Sequence, residues 1–243
     1  RVSSSAASDV YKRQVIKFML KDPSNPNNIL TLLDKARNNA KRSRVSLTTE
    51  VWEATNSCWI ETSQRLKNNI YDKDIQNILF ELREKIALII GYLNNTMLRN
   101  EILYFCYLGT FIERFDNTAR ILDVRHFLFM PNTMVKNDVI NETQWEAILR
   151  SLSAYRAYMW QNQNELNAIN ISNFLILDDK MPRSLKFSLD QILKNIKLIK
   201  NNKVKNSDSF NLGLSIQSKL LSRKRNYSYD FGLHNYLDKL ISS

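Results

Sequence analysis

Four glycines and four prolines are all that a chain of 243 residues offers for tight corners. A β-rich architecture draws on those two residue types at most of its turns, so their scarcity disfavours it. What remains is long segments in which apolar residues recur at i, i+3, i+4 and i+7, the spacing of one face of an α-helix. Hydrophobic residues make up 44% and charged residues 24% of the chain. That balance supplies a core and separates the chain from the disordered class. The expectation is an all-α fold, a single helical bundle of about eight or nine helices.

Stripes and caps place the helices. One over 28–44 follows the cap-rich Asp22-Pro23-Ser24-Asn25-Pro26. A second over 48–70 aligns Val51, Thr55, Cys58, Thr62 and Leu66, and a third from 74 aligns Ile75, Ile78, Leu79, Leu82, Ile86, Ile89 and Leu93. The longest, over 97–127, ends ahead of Pro131, whose ring disfavours helix at the residue before it. A fifth follows the Asn141-Glu142-Thr143 cap region and turns Trp145, Ile148, Leu149, Leu152, Tyr155 and Met159 inward. A short helix near 171–177 precedes one that starts after Pro182 and carries Leu189, Ile192, Leu193, Ile196 and Ile199. Residues 201–208 read as a linker, and helices over 211–224 and 230–241 close the chain.

One start signal occurs twice. Pro26-Asn27-Asn28-Ile29 and Pro182-Arg183-Ser184-Leu185 both set a small polar capper two residues after proline and one before an aliphatic residue. The plain reading is two good N-caps. The other is that Arg183 and Ser184, with the backbone amides there, form an anion contact, because helix N-termini attract negative charge.

The formal charge of +11 needs a correction before it implies a partner. Residues 1–14, from Arg1 to Gln14, resemble translated sequencing-adapter read-through and are set apart as an adapter-like, non-native segment; 15–243 is then the helical domain, truncated at its N-terminus. Without the segment's three cations and one anion the charge is +9. Arg223-Lys224-Arg225 is the one dense basic run, at a helix end and without a recognition motif, so nucleic acid is not the expected partner. The apolar run 87–93 is far short of the roughly 20 residues that cross a bilayer. Two cysteines and two histidines are too few for a Cys/His zinc site or a disulfide framework. Cys58 and Cys106 read as small core residues, Trp52, Trp59, Trp145 and Trp160 as helical core aromatics, and His126 as a helix-end cation. With no glycine-rich phosphate loop, neither a metal nor a cofactor is expected.

The longest helix carries the most distinctive pattern. Leu108, Ile112, Phe115, Ala119 and Leu122 form its apolar stripe at about 100° per residue. Beside it lies a polar seam of Gly109, Glu113, Asp116, Asn117, Arg120 and Asp123; Arg114, Thr118 and Arg125 take a third face. Gly109 weakens a helix and makes sense where a backbone or ligand must approach closely. The helix over 28–44 offers Arg37, Lys41 and Arg44 at i, i+4 and i+7 as an opposing basic row. The expectation is that the seam turns inward and meets these cations. Two readings stay open: an inter-helix salt network that fixes register, or a polar pocket for a small anionic or peptide-like ligand.

These residues resemble a known family. Leu108-Gly109, Ile112-Glu113-Arg114, Asn117, Ala119-Arg120 and Leu122-Asp123 are similar to the signature of the alpha-E domain family, a bacterial helical domain named for a Glu-Arg motif. Ala36-Arg37, Asn39-Ala40, Arg44, Glu50, Trp52-Glu53, Asn56, Trp145 to Leu152, Phe174-Leu175 and Pro182-Arg183-Ser184 match as well. The family's earlier Glu-Arg helix is not found, its common Glu is Asn38 here, and its usual Arg is Lys41. The resemblance implies proximity to circularly permuted ATP-grasp enzymes and transglutaminase-like proteins. It therefore implies a cytoplasmic interaction or accessory module for a peptide ligase or peptide-modification system. The alternative is an enzyme acting on a peptide-like substrate through Glu113 and Arg120. No catalytic residue carries over from the family.

Overall fold

The computed structural model describes residues 4–67, 72–128, 138–162, 166–199 and 208–221. Among them are ten α-helices and one short 3-10 turn, and no strand. The all-helical class is as expected, and the helices gather into two compact units, Arg1–Arg99 and Asn100–Ser243.

The first unit holds α1 (Ser4–Lys21), α2 (Ile29–Arg42), the 3-10 turn Arg44–Ser46, α3 (Thr49–Lys67) and α4 (Asp72–Thr96). Each helix packs on the next in the chain. α1 runs without a break through Gln14, across the segment that was set apart as adapter-like. Its last turn brings Leu20 against Leu66 of α3 and Ile78 of α4 in a small apolar cluster. The turn into α2 is built around Asn28, which is 1% exposed. Its side-chain oxygen accepts the Thr31 amide at 2.8 Å, and its amide nitrogen donates to the Asp22 and Asn25 carbonyls at 2.9 and 2.7 Å. The expected cap is therefore present, and each of its hydrogen bonds is worth about 1 kcal/mol. On α3 the stripe falls as expected, with Val51, Cys58, Thr62 and Leu66 buried.

The second unit holds α5 (Glu101–Leu128), α6 (Asp138–Ser151), α7 (Tyr155–Gln161), α8 (Ala168–Leu177), α9 (Leu185–Leu198) and α10 (Asp208–Leu221). α9 is its hub, packed on α5, α8 and α10. Its expected stripe is buried at Leu189, Leu193, Ile196 and Ile199. The core joins Leu189 and Leu193 to Ala119 and Leu122 of α5, Trp145 and Leu149 of α6, Tyr158 of α7 and Leu175 of α8. Ser184 caps α9 as Asn28 caps α2: its hydroxyl accepts the Phe187 amide at 3.0 Å and donates to the Asp178 carbonyl.

The fifth expected helix is two. α6 stops at Ser151 because Ser153 adopts φ 54°, the left-handed conformation. The Ala154 amide returns to the Leu149 carbonyl at 2.7 Å and the Ser153 amide to that of Arg150 at 3.0 Å. That is the hydrogen-bond pattern of a Schellman stop, with serine where glycine is usual. Trp160, expected in the core, is 81% exposed on α7. The linker over 201–208 up to Ser207, the closing helix over 230–241, His234 and Arg223 to Arg225 lie outside the described residues.

Candidate functional site

The polar seam of α5 faces outward. Glu113, Asn117 and Arg120 are exposed and Asp116 and Asp123 are partly so, contrary to the expected inward turn. The reason is a rotation of the buried arc. Phe111, Phe115, Thr118, Ala119 and Leu122 form it, so its centre sits about 40° away from the stripe read from the sequence. Ile112, read as core, is 52% exposed in consequence. The seam then lies on the opposite side of the helix, and its charges satisfy one another along α5. Arg120 donates through Nε to Asp116 at 2.7 Å, an i, i+4 pair. That bond, followed by the charges of Asp116, Asp123 and Glu113, raises the Arg120 pKa.

The basic row of α2 has its own partners in the first unit. Arg37 donates through Nε to Asn56 at 2.7 Å and lies over the Trp59 ring at 4.4 Å. Arg44 lies over Trp52 at 5.3 Å, and Lys41 is exposed. These are cation–π contacts from α2 and the 3-10 turn after it to the aromatic residues of α3, and guanidinium favours them by its flat shape. The sequence had marked Arg37, Trp52 and Asn56 but not their pairing.

The face of α5 that does turn inward with polar groups is the third one. Thr118 is 1% exposed, and its hydroxyl donates to the Arg183 carbonyl at 2.9 Å. One turn earlier Arg114 lies over the Phe111 ring at 5.4 Å, and Phe111 meets Phe187 of α9 at 6.1 Å. Burial, followed by the nearby positive charge of Arg183, pushes the Arg114 pKa down. The Thr118 bond thus sets the backbone at Arg183 against this face of α5, whereas the Ser184 side chain is spent on capping. Neither the seam reading nor the start-signal reading had joined Arg114 to Arg183.

Among the described residues Gly109 has open space where a Cβ would stand, and none of them makes the close approach that was expected there. The approach occurs instead at Gly213 of α10, where a Cβ would lie 2.8 Å from Leu193 Cδ2. A groove of about 390 Å³ opens beside it, lined by Asp190, Leu193, Lys194, Lys197, Leu214 and Gln217 among others. Within it Gln217 donates to Asp190 at 2.7 Å, and Lys197 lies over Phe210 at 5.7 Å. Among the described residues no three His, Cys, Asp or Glu side chains come together to hold a metal ion, and no helix is long and apolar enough to cross a membrane.

No curated protein and no solved structure matches this chain. A family model does, over residues 2–243: Alpha-E, described as a predicted alpha-helical domain with a conserved ER motif. Glu113-Arg114 is the only Glu-Arg step in the sequence, and it straddles the two faces of α5, glutamate outward and arginine toward α9. With the match running over nearly its whole length, the chain belongs to the Alpha-E family.

Proposed function

We propose that this chain is an interaction or accessory module for an ATP-grasp-type peptide ligase or peptide-modification system, with the ligase or a transglutaminase-like protein as its partner. The observation that carries the reading is the outer face of α5. Phe105, Gly109, Ile112, Asp116 and Arg120 follow one another at helical steps, with Phe105 56% and Ile112 52% exposed. A face of two bare apolar side chains, a glycine with open space above it and a self-paired charge suits a helix of another protein better than water. The family resemblance supplies the kind of partner. On this reading the chain works in the cytoplasm, where an ATP-dependent ligase has its nucleotide.

The enzymatic reading needs Glu113 and Arg120 to enclose a substrate, and both stand exposed. The module reading is therefore preferred. Co-purification with an ATP-grasp-type ligase co-expressed with the chain tests the choice. A stable complex is expected, lost in Gly109→Trp while circular dichroism shows an unchanged helical content. Failure of the wild-type chain to form a complex would refute it, and a peptide product that disappears specifically in Glu113→Gln would establish the enzyme instead.

A further inference from the structure

The cations of α2 and the turn after it are held as a row by a matching row on α3. Arg37, Lys41 and Arg44 recur at i, i+4 and i+7, and so do Trp52, Asn56 and Trp59. The two rows run in opposite senses, with Arg37 over Trp59 at 4.4 Å and Arg44 over Trp52 at 5.3 Å. Arg37 is fixed a second time, because its Nε donates to Asn56 at 2.7 Å. Its remaining N–H groups are left to donate elsewhere. Among the described residues none of the three cations has an ion pair. The acids of the same unit do not complete them. Glu61 and Glu81 pair with Lys85 and Arg65, Asp34 accepts from Asn38, and the exposed Glu50 and Glu53 form no ion pair with the row.

An arginine already ordered on a ring loses less side-chain freedom when it meets an anion than a free one does. Seven residues of helix set Arg37 and Arg44 about 10 Å apart along the axis, with Lys41 between them. A single carboxylate or phosphate group cannot reach both ends of such a row. A second helix can, because acidic side chains at i, i+4 and i+7 repeat the same rise. Val45, 102% exposed and next to Arg44, gives the row an apolar end, as helix-docking surfaces have. We infer that Arg37, Lys41 and Arg44 dock an acidic helix of a partner protein, with aspartate or glutamate at that spacing. The inference does not rest on the ligase reading, since the row belongs to the first unit and the outer face of α5 to the second.

The whole chain, isotope-labelled and titrated with a synthetic alanine-based helical peptide carrying glutamate at i, i+4 and i+7, tests this without any ligase. The readout is the indole N–H signals of its four tryptophans. Those of Trp52 and Trp59 should move, and those of Trp145 and Trp160 should stay. A peptide of the same composition with its glutamates spread around the helix should bind about fivefold more weakly or worse. Lys41 is exposed and has no ion pair, so Lys41→Gln should keep the melting temperature and weaken the striped peptide about threefold. No movement at Trp52 and Trp59, equal binding of the two peptides, or unchanged binding in Lys41→Gln would overturn the inference. A short single-stranded DNA that moves the same signals and displaces the striped peptide would give the row to nucleic acid and overturn it too.

Discussion

The hydroxyl of Thr118 on α5 donates to the carbonyl of Arg183, 65 residues further along the chain, at 2.9 Å. The donor is 1% exposed, so water does not replace the bond if it is lost. Thr118→Val keeps the shape and removes the donor, leaving the carbonyl short of a partner. The expected cost is about 1–2 kcal/mol, read from urea unfolding. Unchanged stability would mean that the turn before α9 finds its partner elsewhere.

Two glycines on helices of the second unit should answer in opposite directions. A Cβ at Gly109 meets nothing within 4 Å, so Gly109→Ala removes only the flexibility of glycine and should stabilise by about 0.5–1 kcal/mol. At Gly213 the same atom would stand 2.8 Å from a methyl of Leu193, itself buried. Gly213→Ala should therefore cancel that gain or cost about 1 kcal/mol or more through overpacking. Paired thermal melts read the difference in sign.

Ser184 before α9 and Ser188 in its first turn are both fully buried and have different employment. Ser184 caps α9 and also donates to the Asp178 carbonyl. Ser184→Ala should cost about 1–2 kcal/mol. Among the described residues the Ser188 hydroxyl has no hydrogen-bond partner, so Ser188→Ala should be neutral or slightly stabilising. A larger loss at 188 than at 184 in chemical denaturation would contradict both assignments.

Burial pushes the Cys58 thiol up, and the Cys106 thiol likewise. Below about pH 8.5 the thiol is protonated in folded and unfolded chains alike, and its contribution to stability is fully present. As pH rises, the unfolded chain releases the proton first, so that contribution is lost on the way to the raised native pKa. At pH 8 iodoacetamide should modify native Cys58 far more slowly than a free thiol, and urea should restore the ordinary rate. Mass spectrometry of the adducts checks it; rapid native alkylation of Cys58 would place it at the surface.

Local signals carried the sequence reading furthest. Asn28 and Ser184 were legible as caps because capping is decided within four residues, and both bonds are where the start signal put them. The stripes of α3 and α9 were legible because each buries a single face. α5 was harder, since it carries apolar groups around most of its girth. Ile112 and Phe115 compete as the centre of the stripe, and only packing selects the buried side, Phe111 against Phe187 and Phe115 against the core. The stop at Ser153 had no glycine or proline to announce it. The neighbourhood of Arg114 and Arg183 joins positions 69 residues apart, and periodicity within one helix has no access to such a distance.

The contact between α5 and α9 also sets an order of events during synthesis. A ribosome adds about 5–20 residues per second, so the 65 residues between Thr118 and Arg183 take about 3–13 s to emerge. For that interval Phe111, Phe115 and Leu122 have left the tunnel while the helix that covers them does not yet exist. The nascent second unit must wait for α9 before it can close, and its newly made α5 is what a holding chaperone would meet first.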